Sequence, residues 1–199
     1  MRATGKFRWL SLLFIAALFA NNAMATPVPI GWTSHDSDTA EFTIDGGSTT
    51  VTSDVYGYTS GTYEDKYVYV YQITNVDCDL GLGHFSVSIV VSDGASAYGC
   101  DYEELPGAIN PAIWTTLNDP VQSVDAIFTD TIDTGESSAL LWFVSDYTPG
   151  YSTSAVHCMS GGVSYYATAD VLSPVPEPAT VLLLGTGALM VLRRKRLHA

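Results

Sequence analysis

Apolar and polar residues alternate with period two along much of the middle of this chain. In "HFSVSIVV", Phe85, Val87, Ile89 and Val91 fall on one face while Ser86 and Ser88 fall on the other. Successive side chains of a strand point to opposite faces, so this pattern predicts a half-buried antiparallel strand. "KYVYVYQIT" sets Tyr67, Tyr69, Tyr71 and Ile73 against Val68 and Val70, apolar enough on both faces for a central strand. "ALLWFVS" at 139–145 is a continuous apolar run of strand length, with Trp142 the expected core anchor.

Further strands are predicted at 41–44, 49–56, 123–128 and 163–171. Between them stand turn signals: Asp45-Gly46-Gly47, Ser92-Asp93-Gly94, Thr134-Gly135, Pro149-Gly150 and Gly161-Gly162. Seven or more short strands with Gly and Asp turns predict an all-β, antiparallel two-sheet β-sandwich, jelly-roll or Ig-like. Helical turns are expected at most near 101–105 and 110–117, and no internal repeat suggests a solenoid.

The two ends break this pattern. Residues 1–25 join a basic start (Arg2, Lys6, Arg8), an eleven-residue apolar-rich run ending at Ala20, and the tripeptide Ala23-Met24-Ala25. As a helix that run rises only about 16 Å, too short to span a bilayer. The three parts in this order predict a signal peptide removed after Ala25, with Ala23 and Ala25 as the small cleavage-site residues. At the other end, the 14 uncharged residues of 179–192, among them Ala179, Leu182, Leu183, Leu184, Gly185, Gly187 and Leu192, precede Arg193, Arg194, Lys195 and Arg196. They predict a single C-terminal transmembrane helix rising about 21 Å, short for the roughly 30 Å hydrocarbon layer. The basic tail would stay cytoplasmic and leave the preceding domain outside. Pro174, Pro176 and Pro178 are expected to hold the chain before it extended, outside any sheet or helix. The organisation predicted is therefore a signal peptide at 1–25, a secreted domain at 26–173 and a terminal segment at 174–199.

Charge follows the same division. Lys66 is the single basic residue between Thr26 and Pro178, and that interval holds all 21 acidic residues, a formal charge of −20. Such a surface repels phosphate backbones, which argues against nucleic acid as a partner. Its content of Tyr, Val, Ile and Trp distinguishes it from a disordered acidic tail.

Export permits disulfides, and Cys78, Cys100 and Cys158 all lie in the exported part. Cys78 with Cys100 is the expected pair, since the two bracket one predicted strand and close a short loop, worth about 3 kcal/mol. All three reduced and buried is the alternative. No CxxC occurs, and His84 and His157 lack any ligand spacing, so no metal site is predicted from them. Asp77 and Asp79 in "DCDLG" offer hard oxygen ligands for Ca²⁺ but lack the rest of an EF-hand loop. There is no GxSxG, HExxH or P-loop. Asp101, Glu103 and Glu104 read as solvated loop charge, and His84 and His157 as surface or satisfied residues rather than catalysts. The 12 tyrosines, several at expected turns (Tyr56, Tyr58, Tyr63, Tyr98, Tyr102, Tyr147, Tyr151), would suit stacking on sugars or contact with proteins.

The order Val175-Pro176-Glu177-Pro178-Ala179, then Leu182-Leu183-Leu184-Gly185 and Gly187, then Arg193-Arg194-Lys195-Arg196, resembles the PEP-CTERM sorting signal. The resemblance covers about 25 residues and implies an exosortase substrate: an integral-membrane exosortase would recognise Pro176, Glu177 and Pro178 and cut nearby. It further implies transient anchoring in the inner membrane, help from signal peptidase and the secretion machinery, and release to the cell surface or extracellular matrix. The middle more loosely resembles β-sandwich ectodomains found among such proteins. The expected role is a non-enzymatic matrix or surface protein associated with exopolysaccharide or neighbouring matrix proteins. The alternative is a secreted carbohydrate-active hydrolase carried by the same signal.

Overall fold

The structure, a computed structural model, describes residues 32–58, 64–89, 98–117, 122–160 and 163–175. The expected signal peptide, Val91, the triplet Pro176 to Pro178, the apolar stretch and the basic tail lie outside the described residues.

Ten strands are formed among the described residues: β1 (Trp32–Ile44), β2 (Gly47–Tyr58), β3 (Tyr67–Asn75), β4 (Leu82–Ile89), β5 (Tyr98–Glu103), β6 (Ile113–Leu117), β7 (Gln122–Ile132), β8 (Leu140–Ser145), β9 (Pro149–Ser160) and β10 (Val163–Pro174). They pair antiparallel throughout, in two five-stranded sheets ordered β1-β2-β3-β8-β5 and β10-β9-β4-β7-β6. The all-β, two-sheet expectation holds for the described residues.

Alternation selects the core. Phe85, Val87 and Ile89 of β4 bury against Tyr69, Tyr71 and Ile73 of β3, and Val156 and Cys158 of β9 join the same cluster. β3 is central and buried on both faces, Val68 and Val70 forming a second cluster with Tyr56, Leu140 and Val144 on the outer side of the first sheet. Four aromatic rings join in the core: Phe143 stacks on Tyr69 at 5.3 Å and on Tyr71 at 5.9 Å within the first sheet, while Tyr71 meets Phe85 of the second at 5.8 Å. The Tyr71 hydroxyl, fully buried, donates to the Leu172 carbonyl at 2.7 Å and so satisfies the one polar atom this ring brings inside.

Where β3 leaves its sheet, the buried Asn75 replaces missing backbone partners. Its Nδ2 lies 3.0, 3.2 and 3.1 Å from the carbonyls of Cys78, Leu80 and Ile132, and its Oδ1 accepts from the Cys78 amide at 3.0 Å. Beside this corner the β1–β2 hairpin turns on Asp45 and Gly46, both at positive φ (48° and 83°), the pattern of a two-residue hairpin turn.

Several expectations are corrected. The stretches expected to hold helical turns instead contribute β5 and β6. Pro149-Gly150, read as a turn, opens β9. Its inward residues Ser152 and Ser154 are polar, and bury by returning their hydroxyls to the carbonyls of Ser88 and Ala169. Trp142 is half-buried on the outer face with the smaller cluster, and its neighbour Phe143 fills the core. Pro174 is the last residue of β10, opposite Pro149, rather than outside the sheet; proline is tolerated at the end of an edge strand because no ladder donor is required there.

Candidate functional site

The outer face of the second sheet carries one transverse row of large side chains. Ile113 of β6 lies opposite Ile127 of β7, Ile127 opposite His84 of β4, His84 opposite His157 of β9, and His157 opposite Tyr166 of β10. All five alternate with core residues and therefore point outward. The row crosses four inter-strand spacings of about 4.8 Å, roughly 19 Å in all. Ile113, Ile127 and Tyr166 are 48, 44 and 70% exposed, unusual for residues of this size in register. The next row is Thr115, Asp125, Ser86, Ala155 and Thr168, so the large residues stand beside a strip of small and hydroxylated ones.

The two histidine rings stack, with centroids 4.9 Å apart and planes at 30°, and Tyr166 continues the series 6.0 Å from His157. His84 Nε2 lies 2.9 Å from Asp125 Oδ1, while Ser123 Oγ donates to the other carboxylate oxygen. An ionised Asp125 only accepts, so Nε2 of His84 carries the proton, and this bond fixes the ring against the sheet. Burial, reinforced by the adjacent His84 and opposed by Asp125, holds the His157 pKa below the ordinary 6.5; His157 is therefore neutral at pH 7. Beside the histidines opens a cavity of about 430 Å³ lined by Gly81, Gly83, His84, Ile127, Phe128, Thr131, His157 and Ser164. None of those eight is a carboxylate. The site offers flat apolar faces, ring nitrogens and hydroxyls; Asp125 is tucked behind His84, and Asp133 accepts from Thr131 of the lining at 2.9 Å.

The residues singled out in the sequence are distributed unevenly. His84 and His157, considered there separately, are brought together by register alone. Tyr166 was not among the surface tyrosines expected; the doublet Tyr165-Tyr166 on a strand guarantees that one ring faces outward. Tyr56, expected at the surface, is buried. Tyr151 is exposed and hydrogen-bonds Asp38 of β1, which raises its pKa. Asp101, Glu103 and Glu104 are exposed on and after the edge strand β5. Asp77 Oδ1 accepts the Ser48 amide at 2.5 Å, and among the described residues no group of three or more His, Cys, Asp or Glu is placed to hold a metal ion.

The expected Cys78–Cys100 bridge is corrected. No bridge joins Cys78 to Cys100 in the structure. Cys100 lies between the pairs Tyr98–Val144 and Asp101–Trp142, level with Phe143 and thus with Tyr69 of β3. Cys78 sits at the Asn75 end of β3, six residues away, which separates the two by about 20 Å along the strand direction. A disulfide requires Cα atoms within about 7 Å. Nearness in sequence did not translate into nearness in space, because the strand between them crosses to the other sheet.

Val175 is the last described residue. Its amide donates to the Thr148 carbonyl at 3.1 Å, and its side chain packs where a Cβ on Gly150 would fall.

Residues 174–196 match the PEP-CTERM protein-sorting motif. No curated protein matches the chain, and no solved structure matches it. The motif supports an exported protein sorted through an exosortase.

Proposed function

We propose that the chain is a non-enzymatic surface or matrix protein whose sandwich, delivered by the sorting motif, binds a neutral exopolysaccharide along the transverse row of the second sheet. Signal peptidase removes 1–25. The apolar stretch and basic tail hold the chain in the inner membrane, and an exosortase reading Pro176, Glu177 and Pro178 releases the acidic domain to the cell surface.

The observation that carries the binding reading is the row itself. Sugar rings present flat C–H faces rimmed by hydroxyls. They are bound by flat apolar side chains flanked by short polar groups, which is what Ile127, His84, His157 and Tyr166 present beside Ser86, Thr115 and Thr168. A formal charge of −20 on the exported part favours an uncharged chain over an anionic one. The hydrolase alternative has less support, since glycoside hydrolysis uses two carboxyl groups flanking the scissile bond and the cavity is lined by none.

Two measurements test the reading. Replacing Pro176, Glu177 and Pro178 by alanine should leave an unprocessed, membrane-associated species in cell fractions; unchanged processing and release would overturn the sorting route. In native gels containing hydroxyethylcellulose, a soluble neutral glucan, the mature protein should be retarded, and Tyr166→Ala should weaken retardation about tenfold, the equivalent of roughly 1.4 kcal/mol. Mobility unaffected by the glucan, or retardation that Tyr166→Ala leaves intact, counts against the row as the binding surface.

A further inference from the structure

The three thiols are not equivalent. Cys78 and Cys158 are buried to 1 and 0% exposure in the same core cluster, whereas Cys100 sits half-buried on the edge strand β5. Cys158 faces inward directly opposite Leu82, four residues after Cys78, so the short bend leaving Cys78 ends at the partner of Cys158. Cys78 Sγ lies 3.8 Å from the carbonyl of Ile44. That places the Cys78 sulfur against the Ile44 end of the β1–β2 hairpin. Burial, then the neighbouring Cys78, pushes the Cys158 thiol up to about 11.

We infer that Cys78 and Cys158 are the disulfide pair of the exported protein, closing β9 onto the corner where β3 hands over to β4, and that Cys100 is the odd thiol. The step is ordinary thiol–disulfide exchange. The thiolate of one cysteine attacks a protein disulfide donor of the export compartment, and the second cysteine then displaces the donor from the mixed disulfide. One Sγ–Sγ bond forms, two thiol protons are lost, and the donor leaves as a dithiol carrying the two electrons. Once the sandwich has closed, neither sulfur is accessible and the Cys158 thiol scarcely ionises, so the bond belongs to the folding stage, before β9 packs.

The test uses the full chain exported into the periplasm of a bacterial host. Soluble protein is alkylated in denaturant without reductant, digested and mapped by mass spectrometry. The expected map contains one peptide pair linked through Cys78 and Cys158, with one alkylated thiol per chain, at Cys100. Cys100→Ser should retain the linked pair and show no alkylated thiol. Three alkylated thiols, or Cys100 linked to either of the others within the chain, overturn the inference. These readouts do not involve the glucan or the sorting motif, so they stand or fall apart from the proposed function.

Discussion

His157 lies in the outer row, packed between His84 and Tyr166, and its proton affinity in the fold is lower than in an unfolded chain because burial disfavours the imidazolium. As pH falls through about 6.5 the unfolded state takes up this proton first. Stability is therefore fully present above the unfolded value and declines as pH drops toward the lower folded one. The groups facing this ring are His84, Asp125 and Tyr166, from β4, β7 and β10. Melting temperatures measured from pH 8 to 5 should show this loss, and His157→Gln should flatten that part of the profile while leaving the more acidic limb, where carboxylates titrate, in place. Neither histidine could be identified from the sequence as half of a pair. A strand encodes which of its residues point outward, but not which strand will lie beside it, and the two histidines stand on β4 and β9, 73 positions apart in the chain.

Among the elements, the β1–β2 hairpin shows how a turn and a packing constraint occupy adjacent glycines. Gly46 needs its positive φ of 83° but has nothing within 4 Å of where a Cβ would lie; a Cβ on Gly47 would come 2.5 Å from the Cys78 Cα. Gly46→Ala should thus cost only the backbone strain, about 1 kcal/mol. Gly47→Ala should cost about 2–3 kcal/mol because backbone, rather than a flexible side chain, must give way. Urea titration of both variants checks the order, and equal midpoints would argue against the close approach. This hairpin was legible as Asp-Gly-Gly, and β3, β4 and β8 as apolar alternation or a continuous apolar run. β9 was not, because Ser152 and Ser154 occupy core positions and satisfy themselves on neighbouring carbonyls, which erases the alternation. β5 and β6 were missed for a related reason: acidic residues on an edge strand, and the short IWTTL, carry too little periodicity to exclude a helical turn.

For the molecule as a whole, an exported part with a formal charge of −20 folds around one lysine, and Lys66 is paired with Asp146. That pair is exposed and contributes little, while repulsion among the remaining carboxylates opposes compaction. Raising NaCl from about 0.01 to about 0.5 M, which shortens the screening length from roughly 30 Å to a few ångströms, should therefore raise the melting temperature. A fall would mean that attractive pairs dominate instead. Export and a sandwich were readable from the sequence because each rests on local order of residue types; the separation of Cys78 from Cys100 was not, because it depends on which sheet each strand joins.

Val175 has a mechanical consequence. The folded body grips the chain through the Val175 amide on Thr148 and its side chain over Gly150, and the apolar stretch begins four residues later, at Ala179. Four extended steps reach about 14 Å at most. On the proposed sorting route the sandwich hangs on a leash no longer than about three strand spacings, so an enzyme reaching Pro176 to Pro178 must work in the gap between the acidic body and the lipid headgroups. Either its cleft is narrow enough for that clearance, or the end of β10 must peel from β9 to lengthen the tether before the cut.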